Sequence, residues 1–270
     1  MRIDELSDVT EIYTLPNRAV YSAKSKRYGE VILKLNSSLS SIASEYHMLK
    51  TVGVRYGCRV YEFDSENGIL LEEKIIPGTV LRKVADVDVR IQKFAEVFRK
   101  IHKEASGDYD YPTYFEWIKK AHAFVEKIEQ RKIIIEQIKR AEEICGKLFD
   151  KYTERMVLHG DLHHDNMLLS EEGNYKIIDA KGVLGPQIFD IPRFILNELD
   201  EKSGTEGKEY ILNVIEKISR LLSYPIEDLK DLFFMETALA CAWCLESSDE
   251  PDWQAMRTAE EIIQFPVGIK

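Results

Sequence analysis

The sequence predicts an α+β protein, with a small β-rich lobe over residues 1–75 and a large, mainly helical lobe over residues 76–270. Three observations predict it. Apolar segments before residue 75 are short and separated by polar turns. After Pro77-Gly78 the apolar residues recur at helical spacing. Between two helical stretches lies a polar cluster, His159 to Asn166, followed by an apolar run that ends at Asp179.

In chain order, Ala19-Val20-Tyr21, Val31-Ile32-Leu33, Val60-Tyr61 and Ile69-Leu70-Leu71 read as strands, and Arg27-Tyr28-Gly29 and Glu66-Asn67-Gly68 as turns between strands. One helix interrupts them from roughly Ser40 to Thr51, with Ile42, Tyr46 and Leu49 on one stripe. Pro77-Gly78 ends the pattern and marks the start of a passage between lobes. Phe94, Val97, Phe98 and Ile101 then fit one amphipathic helix, and Ile118 through Leu148 fit a single long second one. Three further helices are predicted near residues 207–222, 226–247 and 253–264. The crevice between a β lobe and a helical lobe is the expected ligand site.

Charge narrows the partners. With 37 basic and 47 acidic residues the net charge is −10, which argues against nucleic acid or an anionic membrane and suits a cationic small molecule. No run is long enough to span a bilayer and the first residues lack a signal-peptide layout, so a cytoplasmic protein is expected, as a monomer or weak dimer. The four Cys do not suggest a disulfide framework. Cys241 and Cys244 have the C-x-x-C spacing of a redox or zinc site, but no second pair accompanies them, and they read as core thiols of a helix.

The octapeptide His159-Gly160-Asp161-Leu162-His163-His164-Asp165-Asn166 and Asp179, thirteen residues further on, carry the chemistry. A phosphoryl-transfer site needs a carboxylate to orient a hydroxyl and take its proton, and hard oxygen ligands for Mg²⁺. Asp161 fits the first role, Asn166 and Asp179 the second. Gly160 lets the backbone turn between His159 and Asp161. The histidines also permit a metallohydrolase, but their spacing matches neither a helical H-x-x-x-H pair nor scattered strand-end ligands. His159 and His163 read instead as loop-shaping hydrogen-bond partners.

Lys34 stands in the apolar strand Val31-Ile32-Leu33-Lys34-Leu35, and Glu45 follows Ile42 by three residues on its helix. Unpaired inward charges are costly, so these two are expected to meet, aiming an ammonium at nucleotide phosphates. A snorkelling Lys and a solvated Glu are the plainer alternative.

These residues resemble the aminoglycoside phosphotransferase family, whose fold is protein-kinase-like. The segment from Leu158 to Leu169 and Ile178-Asp179-Ala180-Lys181-Gly182 are similar to the streptomycin 6-phosphotransferase and hydroxyurea phosphotransferase branch. Asp-Pro-Lys-Gly is usual there, and Ala180 departs from it. Glu73-Lys74-Ile75-Ile76-Pro77-Gly78 resembles the branch's interlobe segment, and the first hairpin, Pro16 to Ser22, lacks the glycines of protein kinases. The resemblance implies transfer of the ATP γ-phosphoryl group to a hydroxyl, with adenine held by backbone groups of Glu73, Lys74 and Ile75. It also implies that Asp190 braces the catalytic loop. An aminocyclitol antibiotic such as streptomycin is the implied acceptor, and Glu198, Glu236, Glu246 and Asp249 are candidate carboxylates for its guanidinium groups, although each also reads as a solvated side chain. A kinase for another acceptor (an amino alcohol, sugar, nucleoside or hydroxyurea) and a silent nucleotide-binding pseudokinase are the alternatives.

Overall fold

In the computed structural model, which describes residues 5–107, 109–128, 132–199 and 204–265, strands and helices follow in this order: β1 (Leu6–Leu15), β2 (Arg18–Ser25), β3 (Gly29–Asn36), α1 (Leu39–Val52), β4 (Val60–Asp64), β5 (Ile69–Glu73), β6 (Pro77–Val80), α2 (Val87–Ile101), β7 (Lys103–Glu104), α3 (Tyr114–Val125), α4 (Lys132–Lys151), β8 (Met156–Leu158), β9 (Met167–Ser170), β10 (Tyr175–Ile177), β11 (Val183–Gly185), α5 (Pro192–Glu198), α6 (Gly204–Leu222), α7 (Ile226–Glu246) and α8 (Trp253–Gln264).

Chain contacts form two units. The first contains residues up to Asp86, Glu96–Tyr111 and Val157–Val183; the second contains Val87–Ala95, Pro112–Met156 and the chain from Leu184 on. Hydrogen bonds tie the segment around Asp179 to earlier residues of the first unit. β9 pairs antiparallel with β6, and β10 with β9. Ile177 N–H donates to the Tyr56 carbonyl at 2.7 Å, and Cys58 N–H donates to the Ile177 carbonyl at 2.9 Å. Pro77-Gly78, expected as a break, opens β6 itself.

The first unit is built on an antiparallel sheet of order β1-β2-β3-β5-β4. Because side chains alternate along strands, the two faces of β3 differ. Val31 and Leu33 join Ala23 and Leu71 in a core cluster. Lys34 pairs in register with Val20 and Leu70, and Ile32 with Glu72, so Lys34 and Glu72 share the other face. Helix α1 is capped by Ser38, whose Oγ accepts from Ser41 N–H, an arrangement contributing about 1 kcal/mol. β1, absent from the sequence reading, is exposed along nearly its whole length and carries two register shifts against β2. Those bulges remove the period-two signal that would reveal it.

In the second unit the expected long helix is two, α3 and α4. Helix α3 begins with a capping box between Thr113 and Glu116. It ends in tightened turns, Lys127 N–H to the Phe124 carbonyl and Ile128 N–H to the Val125 carbonyl. Helix α7 is buried on several faces, with Leu229, Leu232, Phe233, Phe234, Met235, Ala238 and Leu239 fully enclosed, as expected of a helix packed on more than one side. Cys241 is buried on α7, and burial pushes its thiol up to about 12. It is a protonated core side chain at neutral pH. No helix among the described residues is long and apolar enough to cross a membrane.

Candidate active site

Lys34, Glu45, Asp161, Asn166 and Asp179 all belong to the first unit. Lys34 lies within 2.5 Å of Glu45 Oε1 and 3.0 Å of Glu72 Oε2, and its ammonium also donates to Asp179 Oδ1. The expected Lys–Glu pair therefore forms, with two further carboxylates around the same cation. Burial works against the charge on Lys34, but Asp179, Glu45 and Glu72 outweigh it and hold the ammonium well above its ordinary value. Burial raises the Glu72 carboxyl to about 8, with Lys34 opposing, so this group is mostly neutral at pH 7. Burial raises Glu45 as well, again against Lys34. Asp179 moves the other way: burial opposes its charge, but Lys34 keeps it at about 2.

The loop from His159 to Asn166 is fixed by its own polar groups. Gly160 has φ +76°, a conformation that suits glycine. His159 is fully buried; its Nε2 donates to the Ile178 carbonyl at 2.9 Å, and its Nδ1 accepts from Asp161 N–H at 3.2 Å. Asp165 N–H donates to His163 Nδ1, and His163 Nε2 stands 3.7 Å from Asp161 Oδ1. Arg82 donates from Nε to both Asp165 oxygens at 2.9 Å, and although burial opposes the charge, this pairing holds Asp165 below its usual value. The histidines thus shape the loop, as their spacing implied.

Asn166 donates from Nδ2 to the Asp161 carbonyl at 2.9 Å. That bond fixes the amide so that its oxygen remains an acceptor. Asp179 has φ +56°, in the left-handed region that Asp tolerates better than most residues. An amide oxygen and a carboxylate are hard donors, and among the described residues no three His, Cys, Asp or Glu side chains gather as a metal cluster. Such a sparse oxygen set fits Mg²⁺, which keeps waters and phosphate oxygens in its remaining positions.

An open pocket is lined by Arg18, Val20, Lys34, Glu45, Asp179 and Lys181, among others. Lys34 and Asp179 therefore open onto one cavity. Lys181, not assigned a role from the sequence, reaches Asp161 Oδ2 at 3.3 Å. Glu72 was also missed: it shares a strand face with Leu70, but only the register that sets it opposite Ile32 brings it to Lys34.

At the proposed adenine segment, Glu73 N–H donates to the Arg59 carbonyl, and the Glu73 side chain accepts from Arg59 N–H and Lys176. Lys74 N–H donates to the Glu30 carbonyl and its ammonium pairs with Glu30. Among the three residues, the Ile75 amide is the one that these bonds do not use.

The four candidate acceptor carboxylates lie in the second unit, and two of them have internal partners. Glu198 is buried, bonded by Arg90 at 2.7 and 2.5 Å and by Tyr210 at 2.6 Å. Glu236 is buried against Arg193 at 2.6 Å and the Tyr114 hydroxyl. Both charges are matched internally, because enclosed carboxylates require partners. Glu246 and Asp249 are exposed at the end of α7. Asp190 is buried in a 3₁₀ turn, Gln187–Asp190, of the second unit.

A family model described as "Aminoglycoside/hydroxyurea antibiotic resistance kinase" matches residues 11–248. The chain belongs to this family. Its members phosphorylate hydroxyl groups, and the chain is a small-molecule kinase of that kind. No significant match is found among curated proteins. Among solved structures, choline kinase LicA from Streptococcus pneumoniae is similar at TM-score 0.67 and 19% identity, covering 96% of this chain and 93% of that one. A thermostable mutant of aminoglycoside phosphotransferase APH(4)-Ia, in ternary complex with ADP and hygromycin B, has TM-score 0.70 and 14% identity, covering 99% and 97%. A choline/ethanolamine kinase family protein from Mesorhizobium loti has TM-score 0.67 and 14% identity, covering 97% and 87%. At such identities the likeness establishes the kinase fold predicted from the sequence.

Proposed function

We propose that this kinase transfers the γ-phosphoryl group of ATP to a hydroxyl of an aminoglycoside or aminocyclitol antibiotic of the streptomycin type. The observation that carries the reading is the convergence of Lys34, Asp179 and Lys181 on one pocket, with Asp161 beside Lys181, in a chain of the antibiotic-resistance kinase family. Asp161 orients the acceptor hydroxyl and receives its proton; Lys34, braced by Glu45, takes the α- and β-phosphates. Asn166 and Asp179 would hold Mg²⁺, which neutralises phosphate charge when bound. The Ile75 amide is the backbone group offered to the adenine. Glu246 and Asp249 remain as carboxylates for a cationic acceptor, and the net charge of −10 favours its approach. An ATP-dependent enzyme of this kind works in the cytoplasm, as a monomer or weak dimer.

Hydroxyurea is the second reading, because the family description includes it. An ATP-consumption screen across streptomycin, other aminoglycosides, hydroxyurea, choline, sugars and nucleosides separates the two. Streptomycin-dependent turnover that disappears in Asp161→Ala, with Mg·ATP binding retained, supports the first. Turnover with hydroxyurea alone overturns it. Asp179→Ala should weaken Mg·ATP binding itself, and an unchanged titration would remove Asp179 from the metal.

A further inference from the structure

We propose that Lys181 is a catalytic residue of the transfer step, holding the transferred phosphoryl group against Asp161. The inference rests on the kinase reading above.

Position is the first argument. Lys181 lines the pocket that Lys34 and Asp179 also line, while its Nζ lies 3.3 Å from Asp161 Oδ2. It joins the carboxylate that meets the acceptor to the space that the phosphates enter. Lys34 has another task in the reading above, at the α- and β-phosphates, with Glu45, Glu72 and Asp179 around its ammonium. Lys181 has Asp161 as its ion-pair partner, and its side chain is 38% exposed, so a ligand can reach it.

Rigidity is the second argument. Lys181 N–H donates to the His159 carbonyl at 2.7 Å, and His159 in turn donates to the Ile178 carbonyl. Residues on both sides of Asp179 are thereby tied to the loop that carries Asp161. On one side of Lys181, Ala180 is buried; on the other, Gly182 lies so near α1 that a Cβ there would meet the Ser44 carbonyl. A cation held this way needs little reorganisation when charge develops near it, which is the condition for effective electrostatic catalysis.

The step itself is balanced without Lys181 changing its protonation. A bond forms between the acceptor oxygen and the γ-phosphorus, and the bond from that phosphorus to the bridging oxygen breaks. The bonding pair leaves with ADP, and the hydroxyl proton passes to the Asp161 carboxylate. Charge on the equatorial phosphoryl oxygens is what a fixed ammonium stabilises in this loose transition state.

The test compares wild type with Lys181→Met and Lys181→Arg, using Mg·ADP and the non-hydrolysable Mg·AMP-PNP for binding, and Mg·ATP with streptomycin, or with the acceptor the screen identifies, for turnover. Lys181→Met should lose AMP-PNP affinity by roughly tenfold, keep ADP affinity within threefold, and lose kcat by on the order of a hundredfold. Lys181→Arg should recover a substantial part of both losses. The split between AMP-PNP and ADP reports contact with the transferred group, which a purely structural lysine would not produce. A Lys181→Met enzyme with wild-type kcat, or with equal losses for both nucleotides, overturns the assignment. A wild-type protein that binds neither nucleotide overturns the kinase reading itself.

Discussion

Lys34 and Asp179 are hydrogen-bonded across 145 positions of sequence. The bond joins β3 to the residue just beyond β10, and Glu45 and Glu72 complete the shell around the same ammonium. One cation thus holds the side chains of Glu45, Glu72 and Asp179 together.

Removing that cation should therefore cost stability as well as binding. Lys34→Met leaves buried carboxylates facing one another without a counter-charge, and breaking a buried pair in this way costs about 3–5 kcal/mol. Urea denaturation at pH 7 measures it. A variant as stable as wild type would mean that the cluster is already relaxed by water.

Glu72 supplies a pH dependence with a definite sign. Its folded value of about 8 lies above the ordinary 4.5, so its contribution to stability is complete below about pH 4.5 and is lost as pH rises through 8. Asp179, held at about 2 against an ordinary 3.8, contributes above about pH 4 and loses that contribution as pH falls towards 2. Glu72→Gln keeps a neutral side chain of the same shape and abolishes only the upper limb. Melting temperatures between pH 5 and 9 should show wild type falling relative to Glu72→Gln; parallel curves would place the Glu72 carboxyl at an ordinary value.

Glu198 should behave as a structural residue of the second unit. Glu198→Ala leaves the Arg90 guanidinium, 14% exposed, without its bidentate partner, and a loss of about 3 kcal/mol follows from the uncompensated charge. The acceptor KM should stay within twofold. A raised KM with unchanged stability would return Glu198 to the acceptor site.

The parts of the site legible in the sequence are those where a short segment dictates its own geometry. His159 to Asn166 places the proposed base, a loop-shaping histidine and the proposed amide ligand within one loop. Lys34 was legible because a charge in an apolar strand conflicts with its surroundings unless it is paired. Glu72 and Lys181 were not, since their roles depend on what stands beside them: Glu72 on strand register with Ile32, Lys181 on the His159 carbonyl that positions it. The pairings of Glu198 and Glu236 were hidden for the same reason, because Arg90 and Arg193 are remote or unremarkable in sequence. The separation of α3 from α4 carries no Gly or Pro between Val125 and Lys132, so the helical period runs on through the break.

Gly182 is the last point at which the local backbone decides the site. It has φ +62°, and a Cβ there would lie 2.7 Å from the Ser44 carbonyl oxygen, a backbone atom that cannot swing aside. Gly182→Ala must therefore push the Asp179–Gly182 segment away from α1, displacing Lys181 and loosening Asp179 from Lys34. Left-handed strain and the clash together should cost about 1–3 kcal/mol, visible in thermal denaturation. Because the proposed function puts the displaced residues at the phosphate end, kcat should fall more than the acceptor affinity; loss of acceptor affinity alone would mean that Gly182 borders the acceptor and not the phosphates.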